Sequence, residues 1–111
     1  FEHGLPGHGK YPWEAQQRIP LVMRCPQLLP QGLRCRALVE TRDVAPTILD
    51  YAGLEAEPRF QGKSLRPVIE GDVSEIHDAL HLDIPMPFCE QEQARVTITR
   101  EWKLIDYRPP R

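Results

Sequence analysis

The sequence has few of the features that would assign a broad class at once. Among its 111 residues no apolar run approaches the roughly 20 needed for a bilayer-spanning helix. Residues 1–10 carry Gly, His and Pro in place of the apolar stretch of a secretory leader. The 14 basic and 16 acidic side chains are mixed along the chain, so no basic stripe points to a nucleic-acid partner. Cysteine is scarce: Cys25, Cys35 and Cys89 form an odd set without a C-x-x-C pair. That set suits neither a zinc site nor a disulfide framework, so free thiols are expected. Serine is scarcer. Ser64 and Ser74 lie outside any G-x-S-x-G setting, so the chain shows no nucleophile of its own. The compartment stays open.

Proline and glycine, by contrast, are abundant. Twelve prolines and seven glycines make up about one sixth of the chain, above the usual roughly 12%. Many turns and short elements are the consequence. A chain of this length supports at most one small domain. With its Phe1 start, it reads as part of something larger.

The first twelve residues read as a Gly/Pro/His-rich loop. Ile19-Pro20-Leu21-Val22-Met23 follows, a short apolar run expected to form a buried strand with Pro20 near its start. A turn-rich excursion runs from Cys25-Pro26 to Gly32, and Arg36-Ala37-Leu38-Val39 reads as a further extended segment. The clearest helix starts at Asp43, whose carboxylate suits an N-cap, with Pro46 tolerated in the first turn and Gly53 as the stop. Val44, Ile48 and Tyr51 share one face of it. The same grammar repeats in miniature: Ser64 as cap, Leu65 to Glu70 as body, Gly71 as stop. Beyond Gly71 the pattern changes to strands, at Ala79-Leu80-His81-Leu82, Arg95-Val96-Thr97-Ile98-Thr99 and Trp102-Lys103-Leu104-Ile105. The last two are spaced for a hairpin.

Several groups invite a chemical reading. Gly4-Leu5-Pro6-Gly7-His8-Gly9-Lys10 approaches the phosphate-loop pattern G-x-x-x-x-G-K-[ST]. Tyr11 stands where the metal-binding hydroxyl belongs and Pro12 interrupts the helix that should follow, which argues against it. Lys10 is of more interest as a lone cation on a flexible loop, able to meet a tetrahedral oxyanion as a point charge. A solvated loop lysine is the commoner outcome of such a pattern. His3 and His8 have no carboxylate cluster beside them, so no metal site is expected there. His77 and His81 are four apart, a spacing that matters only on a helix; His81 reads as strand, so packed or solvent-facing rings are expected.

Taken in order, these residues resemble the sulfatase family. Glu2-His3-Gly4-Leu5, Lys10, Pro12-Trp13-Glu14, Arg18-Ile19-Pro20-Leu21-Val22 and Cys25-Pro26 resemble its G-E-H-G…K…[YW]-E-E…R-V-P-L-[IV]…P-G stretch. Asp43-Val44-Ala45-Pro46-Thr47-Ile48-Leu49 is similar to its D-[LV]-[AM]-P-T-[IL]-L helix. Ala52-Gly53-Leu54 with Gln61-Gly62-Lys63-Ser64-Leu65 resembles its A-G-L…Q-G-x-S-L signature. Residues 96–104 resemble the later R-x-x-x-W-K-x-I segment.

The resemblance implies an α/β fold: residues 1–71 as the closing part of an alkaline-phosphatase-like α/β/α sandwich, and residues 72–111 as part of a small antiparallel β-rich C-terminal subdomain. It implies a sulfuric ester hydrolase acting on sulfate esters. In the family a formylglycine made from Cys or Ser in a C/S-x-P-x-R motif attacks sulfur. A divalent cation, usually Ca²⁺, polarises the sulfate. Neither that motif nor the Asp-[Asn/His] metal pair stands in these 111 residues, so both are expected upstream. Of the catalytic set only the sulfate-contacting lysine carries over, onto Lys10, one residue short of the usual K-x-x-x-[YW] spacing. His8 is a second candidate for the substrate pocket wall. No metal ligand is assigned to this chain. The same closing half would serve a phosphonate or phosphate-ester hydrolase of the superfamily, and a non-catalytic interaction module is the non-enzymatic alternative.

Overall fold

The proline- and glycine-rich composition translates into short elements. A computed structural model describes residues 12–85 and 93–108. In chain order they form α1 (Glu14–Gln17), a 3-10 turn (Thr41–Asp43) that runs into α2 (Val44–Tyr51), α3 (Arg66–Glu70), and strands β1 (Leu80–Pro85), β2 (Gln93–Ile98) and β3 (Lys103–Arg108). They fall into two units: Met23–Leu80, and Phe1–Val22 with His81–Arg111.

The second of these units is built on a three-stranded sheet of order β1-β2-β3. β2 and β3 are antiparallel, with Val96 opposite Ile105 and Ala94 opposite Tyr107. The hairpin expected from the Val/Thr/Ile run is present. Its turn is closed by the Thr99 N–H donating to the Trp102 carbonyl at 2.8 Å and by the Trp102 N–H donating to Thr99 Oγ1 at 3.0 Å. Between β1 and β2, His81 Nδ1 lies 3.1 Å from Thr97 Oγ1 and Arg95 Nε donates to Asp83 Oδ1 at 2.9 Å. One partner number rises as the other falls, as antiparallel neighbours require. Alternation then sorts the faces. Ala94 and Val96 are buried, while Asp83, Arg95 and Asp106 line up across the outer face. The hydrogen bond that Arg95 donates to Asp83, the charge of Asp83 and that of Asp106 raise the Arg95 pKa further. α1 is tied to β3 by Lys103 Nζ donating to Glu14 at 3.2 Å.

The buried strand expected over residues 19–23 is not there. Among the described residues nothing pairs with this segment, so its backbone has no ladder to join, and Pro20 removes one donor. Ile19, Leu21 and Val22 are exposed, Val22 at 88%. Residues 36–39 likewise form no strand. The turn-rich excursion is present, with the Leu28 and Leu29 N–H groups both donating to the Cys25 carbonyl.

α2 forms where expected, but the Asp43 carboxylate caps none of its first-turn N–H groups, being turned to other donors, and its inward face is not the apolar one. Ile48 is 59% exposed, whereas Asp43, Pro46 and Thr47 are buried. Asp43, Thr47 and Asp50 recur at i, i+4 and i+7 and so project from one side of the helix. They grip the loop before α3. The Lys63 N–H donates to Asp43 Oδ1 at 2.9 Å. The Leu65 N–H donates to Thr47 Oγ1 at 2.8 Å, and the Thr47 hydroxyl donates back to the Asp43 carbonyl. The Ser64 hydroxyl donates to Asp50 Oδ2 at 2.6 Å. A helix face that reads as polar is buried because every one of its groups finds a partner.

Leu65, not Ser64, is the N-cap of α3 and no side chain caps it; the Ser64 hydroxyl, already drawn to Asp50, accepts only the Arg66 N–H at 3.2 Å. Pro67 lies in the first turn of α3 and Gly71 ends it at φ +87°. In that conformation the following Asp72 N–H closes onto the Pro67 carbonyl at 2.8 Å. Gly62 is constrained differently. A Cβ there would run into the Arg42 carbonyl group and the Asp43 nitrogen, all backbone atoms. The loop can approach α2 this closely only because residue 62 has no side chain. Gly62→Ala is therefore expected to lower the unfolding free energy by about 1–3 kcal/mol. A drop in the urea midpoint at unchanged m-value would show it; an unchanged midpoint would refute the close approach.

Candidate functional site

The most densely wired point in the described residues is Asp43. Its side chain is fully buried, which for a carboxylate is costly unless every oxygen is satisfied. The chain supplies the partners from three separate stretches. The Glu40 N–H donates to Oδ2 at 2.9 Å within the 3-10 turn. The Lys63 N–H donates to Oδ1. His77 Nε2 sits 3.1 and 3.0 Å from the two oxygens, so its N–H is shared between them. The segment carrying His77 is tied down next door by Lys63 Nζ, which donates to the Ile76 carbonyl at 2.9 Å.

A second acid borders the pair. Glu40 is held by Arg42, whose Nη2 contacts both carboxylate oxygens at 2.8 and 2.9 Å. The same guanidinium donates from Nη1 to Gln61 Oε1 at 2.8 Å. Ligand atoms of Glu40, Asp43 and His77 lie within 4.8 Å of one another. The donor set does not suit the calcium implied for the family, which wants six to eight oxygens. Nor is a place kept for a smaller cation: the imidazole N–H already occupies the open side of Asp43, and Arg42 neutralises Glu40. These residues make a closed hydrogen-bonded node, not a metal centre.

What the node does chemically is fix one imidazole. Donation from Nε2 to a buried carboxylate sets the ring's orientation and leaves Nδ1 as the remaining nitrogen. Among the described residues no hydroxyl or thiol hydrogen-bonds to His77. Ser64, the serine nearest in sequence, is engaged by Asp50 and by the Arg66 N–H. The Asp43–His77 pair is thus a locking device.

A second network runs alongside. Asp50 accepts from Ser64 and from Arg66 Nη1 at 3.2 Å, and Arg66 Nε donates to Glu70 at 2.8 Å. The guanidinium lies over the Tyr51 ring, 5.3 Å from its centroid. The Ser64 hydroxyl holds the Asp50 carboxyl below its ordinary range; burial opposes this and Arg66 reinforces it. Burial pushes the Tyr51 phenol up, with Glu70 adding to the shift.

The residues singled out in the sequence fare unequally. Lys10 and His8, the candidate catalytic and substrate-binding residues, lie outside the described residues, as do His3 and Cys89. His81 is exposed on β1, facing Thr97. Cys25 and Cys35 are free thiols. His77 is half-buried, and its pairing with Asp43 escaped the sequence reading because the partners are 34 positions apart. The signal in the sequence is that His77 follows α3 closely enough to fold back onto the start of α2.

With this geometry in place, the comparisons with known proteins become informative. Residues 2–109 match the family described as N-sulphoglucosamine sulphohydrolase, C-terminal. The chain belongs to this sulfatase family. It is 40% identical over 63 residues to N-acetylglucosamine-6-O-sulfatase of Bacteroides thetaiotaomicron, covering 57% of the chain and 11% of that relative. It is 30% identical over 101 residues to arylsulfatase K of Homo sapiens, covering 86% and 19%. It is 32% identical over 73 residues to an arylsulfatase of Clostridium perfringens, covering 63% and 15%. The chain thus spans between about a tenth and a fifth of the length of these relatives. No solved structure matches it. The two stretches that carry the sulfatase resemblance most clearly, residues 43–50 and 61–65, are the two that grip each other through Asp43, Thr47 and Asp50.

Two predictions test this wiring. His77→Ala leaves the buried Asp43 carboxylate short of one donor and is expected to cost about 1–3 kcal/mol in a denaturant titration. Loss of less than 0.5 kcal/mol, roughly the scatter of a neutral surface change, would sink the pairing. For Asp50, a folded-state pKa below the unfolded one contributes stability that is present above the unfolded value. That contribution fades as the pH falls through the folded value. Asp50→Asn should accordingly flatten the acid limb of the stability–pH profile relative to wild type, and parallel profiles would show that Asp50 has no such role.

Proposed function

We propose that this chain is the closing part of a sulfatase-type enzyme that hydrolyses sulfate esters. The observation that carries the reading is the family match, which runs through nearly all of the chain and agrees with three relatives named as sulfatases. In this reading residues 1–71 complete an alkaline-phosphatase-like α/β/α sandwich. Residues 72–111 supply the antiparallel subdomain, to which the β1-β2-β3 sheet is suited. A formylglycine nucleophile and a divalent cation, usually Ca²⁺, provide attack at sulfur and charge neutralisation from positions upstream.

This chain's own contribution is binding. Lys10, on its Gly-rich loop, presents a compact ammonium charge to the sulfate oxygens, and His8 lines the same pocket. An ammonium placed there stabilises negative charge as it develops on the leaving oxygen.

In the full-length protein, Lys10→Ala is expected to lower turnover of an aryl sulfate by about 10²–10³-fold. Wild-type turnover in that variant would remove Lys10 from the site. Expressed alone, the 111 residues should give no metal-dependent turnover, since they hold no C/S-x-P-x-R motif. Robust activity would overturn the division of labour.

A further inference from the structure

The amphipathic pattern of α2 is inverted. Its polar side chains, Asp43, Thr47 and Asp50, face inward and are all engaged by the loop before α3. The opposite arc, which a helix facing water ordinarily lines with charged groups, carries none. Val44, Ala45, Ile48, Leu49 and Ala52 occupy it. Among the described residues Ala45, Ile48 and Ala52 are exposed, and Val44 and Leu49 are half-buried. Beyond the stop at Gly53, Leu54 adds a further exposed leucine, its N–H fixed to the Leu49 carbonyl at 2.9 Å.

The helix cannot hide this arc by rolling. Turning it inward would strip the buried Asp43 carboxylate of its donors, which costs more than the apolar contact returns. The arc is covered only by something that comes to it. Ala45 and Ala52 stand three residues before and four after Ile48, so each lies about one turn away on the same side. Their short side chains let a second packed element approach closely around the isoleucine. The eight residues of α2 give the arc a length of about 12 Å.

We propose that this arc is the seat onto which the preceding, larger part of the same polypeptide packs. The assignment rests on the sulfatase reading above, which makes these residues the closing part of a longer enzyme, and it adds which surface joins them to the rest. Length identifies the occupant. The matched stretches cover only 11%, 19% and 15% of the three relatives, so about four fifths or more of each lies outside them. The matched family model describes a C-terminal part. A second copy of the protein would have to find the arc still bare after that much chain had folded beside it. α2 is then held from both sides, by hydrogen bonds from the 61–65 loop on one and by apolar packing on the other.

The experiment uses the full-length protein. Ile48→Cys is labelled with a maleimide under native conditions and in urea, and mass spectrometry of the modified peptide separates it from the native cysteines. Native labelling is expected to be slower than labelling in urea by about 100-fold or more, as for a site reached only through local opening. Ile48 and Ala45 are also replaced, one at a time, by the photo-crosslinking amino acid p-benzoylphenylalanine. Crosslinks from at least one position are expected to run, within one polypeptide, to the part that precedes these 111 residues. Native labelling as fast as in urea overturns the proposal. So do crosslinks that join two polypeptides, that stay within the 111 residues, or that fail to form at both positions. Cysteine is smaller than isoleucine and fits the same seat, so the labelling still decides should the bulkier replacements misfold. Aryl sulfate turnover is followed in parallel on the wild type. Its absence would count against the sulfate-ester chemistry alone, because labelling and crosslinks report on packing.

Discussion

A fully buried carboxylate sets the terms for the unit formed by residues 23–80. Asp43 cannot reach water, so each of its oxygens must be met by a donor, and the donors come from the 3-10 turn, the loop before α3 and the segment before β1. Three stretches are thereby fixed to one point by a single side chain. Removing any of them leaves a charge without compensation, which is why such nodes resist piecemeal change. The close backbone approach at Gly62 and the Thr47 bonds to Leu65 follow from the same pinning, since they bring the loop flat against α2.

This arrangement changes how the family signature is understood. The Asp-x-x-Pro-Thr helix and the Gln-Gly-x-Ser-Leu loop could have been two independent marks of catalysis. Here three residues of the helix side each meet one of the loop: Asp43 with Lys63, Thr47 with Leu65, Asp50 with Ser64. The signature describes a mechanical clasp.

Much of the local structure was legible. The helix that opens near Asp43, the stops at Gly53 and Gly71 and the β2–β3 hairpin all depend on interactions within a few residues, so sequence spacing carries them. The run at residues 19–23 was misleading because an apolar stretch becomes a strand only if a neighbour completes its ladder. The face of α2 was misread for a related reason. Apolar spacing pointed to Ile48, but polar groups turned inward once matched donors waited on the loop. The spacing of His77 to its near neighbour His81 carries nothing, because the partner of His77 lies 34 positions upstream.

The sequence by itself determined the family and the turn-rich character. These depend on residue type and order, which need no folding to be read. Only the tertiary structure decided which side of α2 is buried and why residue 62 must be glycine. Those outcomes depend on long-range hydrogen bonds and close approaches. Their energy is realised only when distant segments meet.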